Sequence, residues 1–376
     1  MCAACASIFN IISKLKNSKY LNFIELQKGI VMTEPMNQRN QKKALTIAIP
    51  TFDRNVRLEN SLKALISEVE KSNYLVDIKV LDNCSPNPVS ETLSSEVLNC
   101  EFLEVIRQPY NIGMCANILN CFEVCDTEWL WILGDDDEVT HGSVDKIHSD
   151  ILNSESVCIN FNTDIISSGR ERISRTINGI EGVLNDMDGY SNLLFISTNI
   201  YRCASLRKHI RFGYDFAYSM QPHTALLFMS LAKDFSKIDV SSERIVNWHK
   251  AENDQTWSQT KMIAARSVLL ELPLGLNDKL FDKFKKFLLQ GYPAKKILIK
   301  SAIEISSDST LDKLAKTNLI KQVYLRNYRL ASLCLPLLFL AVSMVKYATV
   351  RTMVMKALSV VGIRDFKRSK NLYQRM

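Results

Sequence analysis

Several things are missing from this sequence, and each absence removes a class of protein. It has no internal repeat and no low-complexity segment, which excludes a solenoid array or a disordered scaffold. Its ten cysteines include only one CxxC pair, Cys2 and Cys5, with no second pair to complete a zinc site. The other cysteines are scattered, mostly among apolar neighbours, as expected for reduced thiols in a cytoplasmic protein. No secretory signal is expected, because "MCAACASIFNIISKLKNSKY" begins apolar and turns basic afterwards, the reverse of signal order. The uncharged run Leu330–Val345, bracketed by Arg329 and Lys346 and interrupted by Pro336, stops short of the ~20 residues that span a bilayer. Acids are almost absent from the C-terminal tail. From Lys313 onward there are thirteen basic residues and one acid, Asp365, so the tail carries +12 of a chain whose net charge is +7. The remainder is therefore mildly acidic. This makes a nucleic-acid role for the whole chain a weak reading, so no nucleic acid is expected, and an anionic membrane surface is the better partner for the tail.

What is present is ordinary globular material, 47% apolar and 23% charged, in a chain of 376 residues that exceeds one usual core. One large domain with an appendage is expected. Residues 1–43 read as a poorly ordered or non-native extension, with Met32 or Met36 as the native start. "ALTIAIP" (44–50), "DIKVLDN" (77–83), "FLEVI" (102–106) and "EWLWIL" (128–133) read as strands. Between them, Leu58, Leu62, Leu65, Ile66 and Val69 form one helical face within 57–71, and 111–125 reads as a turn and a helix. This alternation predicts a mostly parallel sheet with helices on both faces and a ligand beyond the carboxyl ends of its strands. Residues 156–162 add a strand, 224–233 a helix, and the chain from about 258 reads as mainly helical.

The segment "WILGDDDEV" places four carboxylates at the end of a buried strand. Like charges that close repel unless a cation shares them, although a solvated acidic loop is the plain alternative. Three other polar clusters, Thr51–Arg54, Asp82–Ser85 and Asn111–Gly113, also follow strand ends. Convergence of four segments on one sheet edge favours a ligand site.

"IPTFDR", "VLDNCSPN", "NIGMCAN" and "WILGDDDEV", in this order and spacing, resemble the GT-A glycosyltransferases of family two, bacterial-type enzymes that build O-antigen, capsule and other surface polysaccharides. The "LGDDD" form is shared with the abequosyltransferase-like group. The resemblance covers residues 44–148 well and fades towards 257. It implies an α/β GT-A fold, a mostly parallel Rossmann-like sheet flanked by helices with a helical C-terminal appendage. Residues 44–257 would be the catalytic domain, with a nucleotide-sugar half (44–140) and an acceptor half (141–257), followed by the helical region 258–376. It also implies a nucleotide-sugar donor, an acceptor hydroxyl, inversion at the anomeric carbon and a Mg²⁺ or Mn²⁺ ion. Carried over by position, Pro50, Thr51 and Asp53 line the nucleotide pocket, Asp82 hydrogen-bonds the base, and Asn111, Gly113 and Asn117 contact the donor. In the acidic motif the family commonly has an aspartate where Gly134 stands. Either Asp135 and Asp137 or Asp136 and Asp137 are then the functional carboxylates, with Asp136 and Asp137 favoured for the metal and Asp135 for the donor. The plain alternatives are a simple turn at Asn111 and Gly113, and a helix cap at Asp53.

Inversion needs a base on the acceptor side. The family's "ED" pair is absent, which leaves Asp215 and His223 in "GYDFAYSMQPH". His249, Asn253 and Asp254 form a further polar cluster that closes over a ligand or is merely solvated. In the tail, Val350, Met353, Val354, Ala357, Leu358 and Val361 make an apolar stripe beside Arg351 and Lys356. It reads as an interfacial anchor on the inner face of the cell membrane, suited to a lipid-linked saccharide or polysaccharide acceptor. A helical pair packed on the catalytic domain or across a homodimer is the alternative. A sugar nucleotidyltransferase is disfavoured, since "IPTFDRNVRL" lacks the glycine-rich loop that such enzymes carry. A degenerate, membrane-associated scaffold of polysaccharide assembly is the non-enzymatic rival.

Overall fold

The structure is a computed structural model and describes residues 44–163, 172–247 and 265–288. The N-terminal extension, the cluster at His249–Asp254 and the basic tail lie outside the described residues.

The strands β1 (Leu45–Thr51), β2 (Val76–Asp82), β3 (Leu103–Arg107) and β4 (Trp129–Ile132) form a parallel half-sheet in the order β3-β2-β1-β4. The short β5 (Glu138–Val139) follows β4. The sheet continues through β8 (Asn199–Arg202), β6 (Cys158–Asn162), β9 (Lys237–Arg244) and β7 (Arg175–Asn178), giving eight strands. β8 runs antiparallel to both neighbours, β4 and β6, whereas β6 and β9 are parallel. β5 pairs with β10 (Val246–Asn247) in a separate antiparallel ribbon.

Side chains that alternate along each strand bury on opposite faces. Leu45, Ile47 and Ile49 of β1, with Trp129 and Trp131 of β4, pack in one core with Leu58, Leu62, Leu65 and Val69. Those four leucine and valine side chains recur along the helix Asn55–Lys71 at the spacing of a single face. Ala48 of β1 and Leu130 and Ile132 of β4 face the second core, with Ile118, Leu119 and Phe122 of the helix Met114–Glu123 and Leu226, Leu227 and Phe228 of the helix Pro222–Lys233. Burying each such large apolar side chain contributes about 1.5–3 kcal/mol. Two cores on two faces thus fix where the carboxyl edge of β1–β4 lies. The seven cysteines among the described residues are free thiols. Among the described residues no helix is long and apolar enough to cross a membrane.

Candidate active site

Strand register alone assembles the site. Thr51 is paired with Asp82 across β1 and β2, and Asp82 with Arg107 across β2 and β3. On the other side of β1, Ala48 is opposite Ile132. Three residues further along both chains, Asp135 comes beside Thr51, whose hydroxyl donates to Asp135 Oδ2 at 2.7 Å. The ends of β1, β2 and β3 and the turn after β4 therefore stand in one row along the carboxyl edge.

The turns after β1 and β2 leave the usual backbone regions. Asp53 has φ 55° and Cys84 φ 63°, left-handed values uncommon outside glycine. Asp53 lies exposed, and its amide donates to Ser85 Oγ at 3.0 Å, so the two turns are tied together. Asp53 does not cap the following helix. The cap residue is Arg54, without a side-chain capping bond.

Asp82 is fully buried. It receives the Ser85 amide on Oδ1 at 2.8 Å, the Val89 amide on Oδ2 at 3.3 Å, and the Arg107 guanidinium on Oδ2. Burial pushes its pKa up, but these bonds outweigh burial and hold the carboxyl below its ordinary value. Its oxygens are engaged with its own turn. The adjacent Asn83 supplies the link to the next loop, donating to Asn111 Oδ1 at 2.9 Å and accepting from the Ile112 amide at 2.9 Å. Asn111 Oδ1 also accepts from the Gly113 amide at 2.8 Å. Gly113 has φ 83°, a conformation that favours glycine, and opens onto empty space where a Cβ would stand. Asn117 is buried and donates to the Leu81 carbonyl at 2.9 Å, bracing the helix Met114–Glu123 against β2. That side-chain bond is internal to the protein.

The aspartates divide by burial. Asp135 and Asp137 are buried at 6% and 8% exposure, whereas the Asp136 side chain is 40% exposed. Asp135 is gripped by Thr51 and by Arg54 Nη1 at 2.9 Å, and its carbonyl receives Ser61 Oγ at 3.2 Å. Asp136 faces outward to Arg54 at 3.1 Å and Arg57 at 3.9 Å. Asp137 receives the Ser197 hydroxyl. The buried pair is Asp135 and Asp137, while Asp136 lies outward in the turn that the Asp137 amide closes on the Gly134 carbonyl at 3.2 Å. Burial raises the Asp135 pKa above its ordinary value, the Arg54 charge and the Thr51 hydroxyl opposing it and the Asp136 charge reinforcing it. A carboxylate held at such a cost is one that a further cation would stabilise.

A divalent ion fits this donor set in kind, since all its groups are carboxylate or hydroxyl oxygens. Among the described residues there is no cluster of three or more protein metal ligands. An ion here would be held by one or two carboxylates together with substrate oxygens, a normal arrangement for Mg²⁺.

The two acceptor-side candidates differ in burial and partners. Asp215 ends the short helix Ile210–Asp215, about half exposed, and is paired with Arg211 at 3.3 Å one turn back. His223 opens the helix Pro222–Lys233, 3% exposed, with Nε2 bonded to the Leu194 carbonyl at 3.2 Å and Nδ1 buried without a hydrogen-bond partner. Because a carbonyl only accepts, Nε2 carries the proton and Nδ1 the lone pair. Burial pushes its pKa down to about 4, so the ring is neutral at pH 7.

Sequence reasoning missed Arg54 and Arg57 as partners of the aspartates, and Arg107 as the counter-charge of Asp82. The i, i+3 spacing of the two arginines at a helix start was visible in "DRNVR", since such residues share a face. It also missed Ser197, for which "FISTNI" carries no signal.

Comparison with known proteins names this arrangement. Residues 46–223 match the model of Glycosyl transferase family 2. This segment is a family 2 glycosyltransferase domain with the GT-A fold. Over 101 residues the chain is 29% identical to abequosyltransferase RfbV of Salmonella typhimurium, a match spanning 27% of this chain and 30% of that protein. Among solved structures, S. aureus TarS 1–349 in complex with UDP-GlcNAc superposes with a TM-score of 0.55 at 14% identity, covering 84% of this chain and 92% of that one. The longer TarS structure gives 0.52 at 15% identity, covering 82% and 54% respectively. These structural likenesses bear on the fold.

Proposed function

We propose that the chain transfers a sugar from a nucleoside-diphosphate sugar to an acceptor hydroxyl, with inversion and with Mg²⁺ or Mn²⁺. The observation that carries this reading is the row Thr51, Asp82, Asp135 and Asp137 on the carboxyl edge of a family 2 glycosyltransferase sheet. Pro50, Thr51, Asp53, Asn111 and Gly113 line the donor cleft. Asp82 and Asn117 shape it from beneath, Asp82 by setting the turn that meets the base. Asp137, with Asp135 beside it, would hold the ion. A bound divalent ion supplies Lewis-acid neutralisation of the diphosphate charge that grows as the glycosidic bond breaks. Arg54 and Arg57 stand at the same edge and hold Asp135 and Asp136 in position. A thermal-shift screen of nucleotide sugars with and without Mn²⁺ tests the reading. One donor should raise the midpoint only with metal, and that donor should be slowly hydrolysed. If no nucleotide sugar is bound or hydrolysed, the domain is a degenerate scaffold instead.

For the acceptor proton, His223 is the better candidate than Asp215. It keeps an unprotonated lone pair on Nδ1, whereas Asp215 is engaged with Arg211 at the surface. A base of pKa about 4 is weak but stays in its working form throughout neutral pH. His223→Ala should lower single-turnover transfer by about 10²-fold while Asp215→Ala changes it little. The wild-type rate should be flat from pH 6 to 8 and fall only in acid, as the ring protonates. Equal rates in both variants and wild type would remove both residues from the role.

The acceptor is proposed to be a lipid-linked saccharide or growing surface polysaccharide, met at the membrane. The +12 charge of the tail and its apolar stripe support peripheral attachment to the inner face of the cell membrane. Full-length protein should sediment with anionic vesicles, less so at high salt. Salt-insensitive indifference to vesicles would favour packing of the tail on the domain or across a homodimer.

A further inference from the structure

Gly134 has no backbone reason to be glycine. Its φ lies outside the left-handed region in which a side chain is strained. What a side chain at 134 would meet is Asp137: a Cβ there would sit 2.5 Å from Asp137 Oδ2, 3.2 Å from its Cγ and 3.4 Å from Ser197 Oγ. The Asp137 carboxylate is thus folded back over the Cα of residue 134, in the volume that a side chain at 134 would fill.

The Ser197 hydroxyl helps to hold it there. Ser197 Oγ accepts the Gly134 amide at 2.9 Å and donates its single proton to Asp137 Oδ2. Ser197 is fully buried in the turn Ile196–Thr198 that leads into β8. Its carbonyl accepts Trp131 Nε1 at 2.8 Å, and Trp131 is itself fully buried in β4. The clamp therefore runs from the tryptophan of β4 to the turn before β8, and back through the hydroxyl to the acidic turn. The contact between β4 and Ser197 is made by backbone and indole, so it does not depend on the hydroxyl.

We propose that Ser197 is a positioning residue of the diphosphate site: its hydroxyl, with the space left by Gly134, fixes the Asp137 carboxylate in the orientation that takes the metal–diphosphate unit. The inference rests on the glycosyltransfer reading above. The serine proton is directed at the carboxylate because the Gly134 amide already donates to the same oxygen. Asp137 is thereby kept in one orientation before ligand arrives. The glycine is required by the folded-back carboxylate, and a Cβ at 134 would push that carboxylate away while meeting only the ends of two side chains.

The test uses the full chain with Mn²⁺ and with UDP and GDP as probes, reading the Mn²⁺ concentration that half-saturates nucleotide binding. Ser197→Ala should raise that concentration about tenfold, the effect of losing one charge-assisted hydrogen bond. Metal-free nucleotide affinity should be unchanged, which a merely structural loss would not leave intact. Gly134→Ala should raise the Mn²⁺ requirement similarly, and the double variant should add little to either, since both displace one carboxylate. If wild type shows no Mn²⁺-dependent nucleotide binding, the glycosyltransfer reading itself fails. If wild type shows it, Asp137→Asn loses it and Ser197→Ala keeps the wild-type requirement, the reading stands and the positioning role is overturned. Should Ser197→Ala not fold, Gly134→Ala decides alone: an unchanged Mn²⁺ requirement there overturns the proposal.

Discussion

Asp137→Asn is expected to lower sugar transfer by about 10³-fold while the protein keeps its fold. The amide oxygen can still accept the Ser197 hydroxyl, so the side chain keeps its anchor and its volume. What is lost is the negative charge. A carboxylate that recruits a divalent ion to a developing diphosphate is worth several kcal/mol in the transition state, and about 4 kcal/mol corresponds to a factor of about 10³. Asp136→Asn is the internal control. Its side chain is turned to solvent and to two arginines, so it should reduce the rate less than about tenfold. Calorimetric titration of Mn²⁺ and nucleoside diphosphate into both variants separates the cases. Unchanged metal-dependent affinity in Asp137→Asn would remove Asp137 from the metal role, and equal losses in both variants would mean that burial does not distinguish them.

That contrast marks the limit of what the sequence disclosed. The strands and helices of the first half follow from apolar periodicity, and the strand beginnings and ends differ from expectation by one or two residues. The carboxyl edge was legible because four polar turns each follow a buried strand. Which aspartates are buried was not legible, since the three are identical and residues 135 and 136 lie in a turn, where strand alternation does not apply. The insertion of β8 between β4 and β6 was not legible. "NIYR" is short, and its position is decided by antiparallel pairing with partners 43 and 71 residues away in Cys158↔Tyr201 and Leu130↔Tyr201. Ser197 enters the site only through that insertion. Arg107 joined Asp82 by register between β2 and β3, again a long-range fact.

Asp82→Ala is expected to cost about 3 kcal/mol of stability, near the lower end of the about 3–5 kcal/mol seen when a buried ion pair loses one partner. The lower end applies because the Arg107 side chain is 34% exposed and can regain water, whereas the Ser85 and Val89 amides lose a buried acceptor. For a domain of this size the thermal midpoint should fall by roughly 6–12 °C. The damage should reach the donor cleft, because the turn that Asp82 fixes carries Ser85, and Ser85 Oγ receives the Asp53 amide of the first turn. Donor affinity should therefore fall even at temperatures where the variant stays folded. The sign with pH is fixed by the depressed pKa: the stabilisation is present above the ordinary carboxylate value and is lost as pH falls through the lower folded value. The wild-type advantage over Asp82→Ala should accordingly be constant from pH 5 to 8 and shrink in strong acid. Combined with Arg107→Ala, the loss should be less than additive, since either change breaks the same pair. A denaturation midpoint for Asp82→Ala within about 0.5 kcal/mol of wild type would show that the turn is held without its carboxylate. Asp82 would then be left to act on the nucleotide directly.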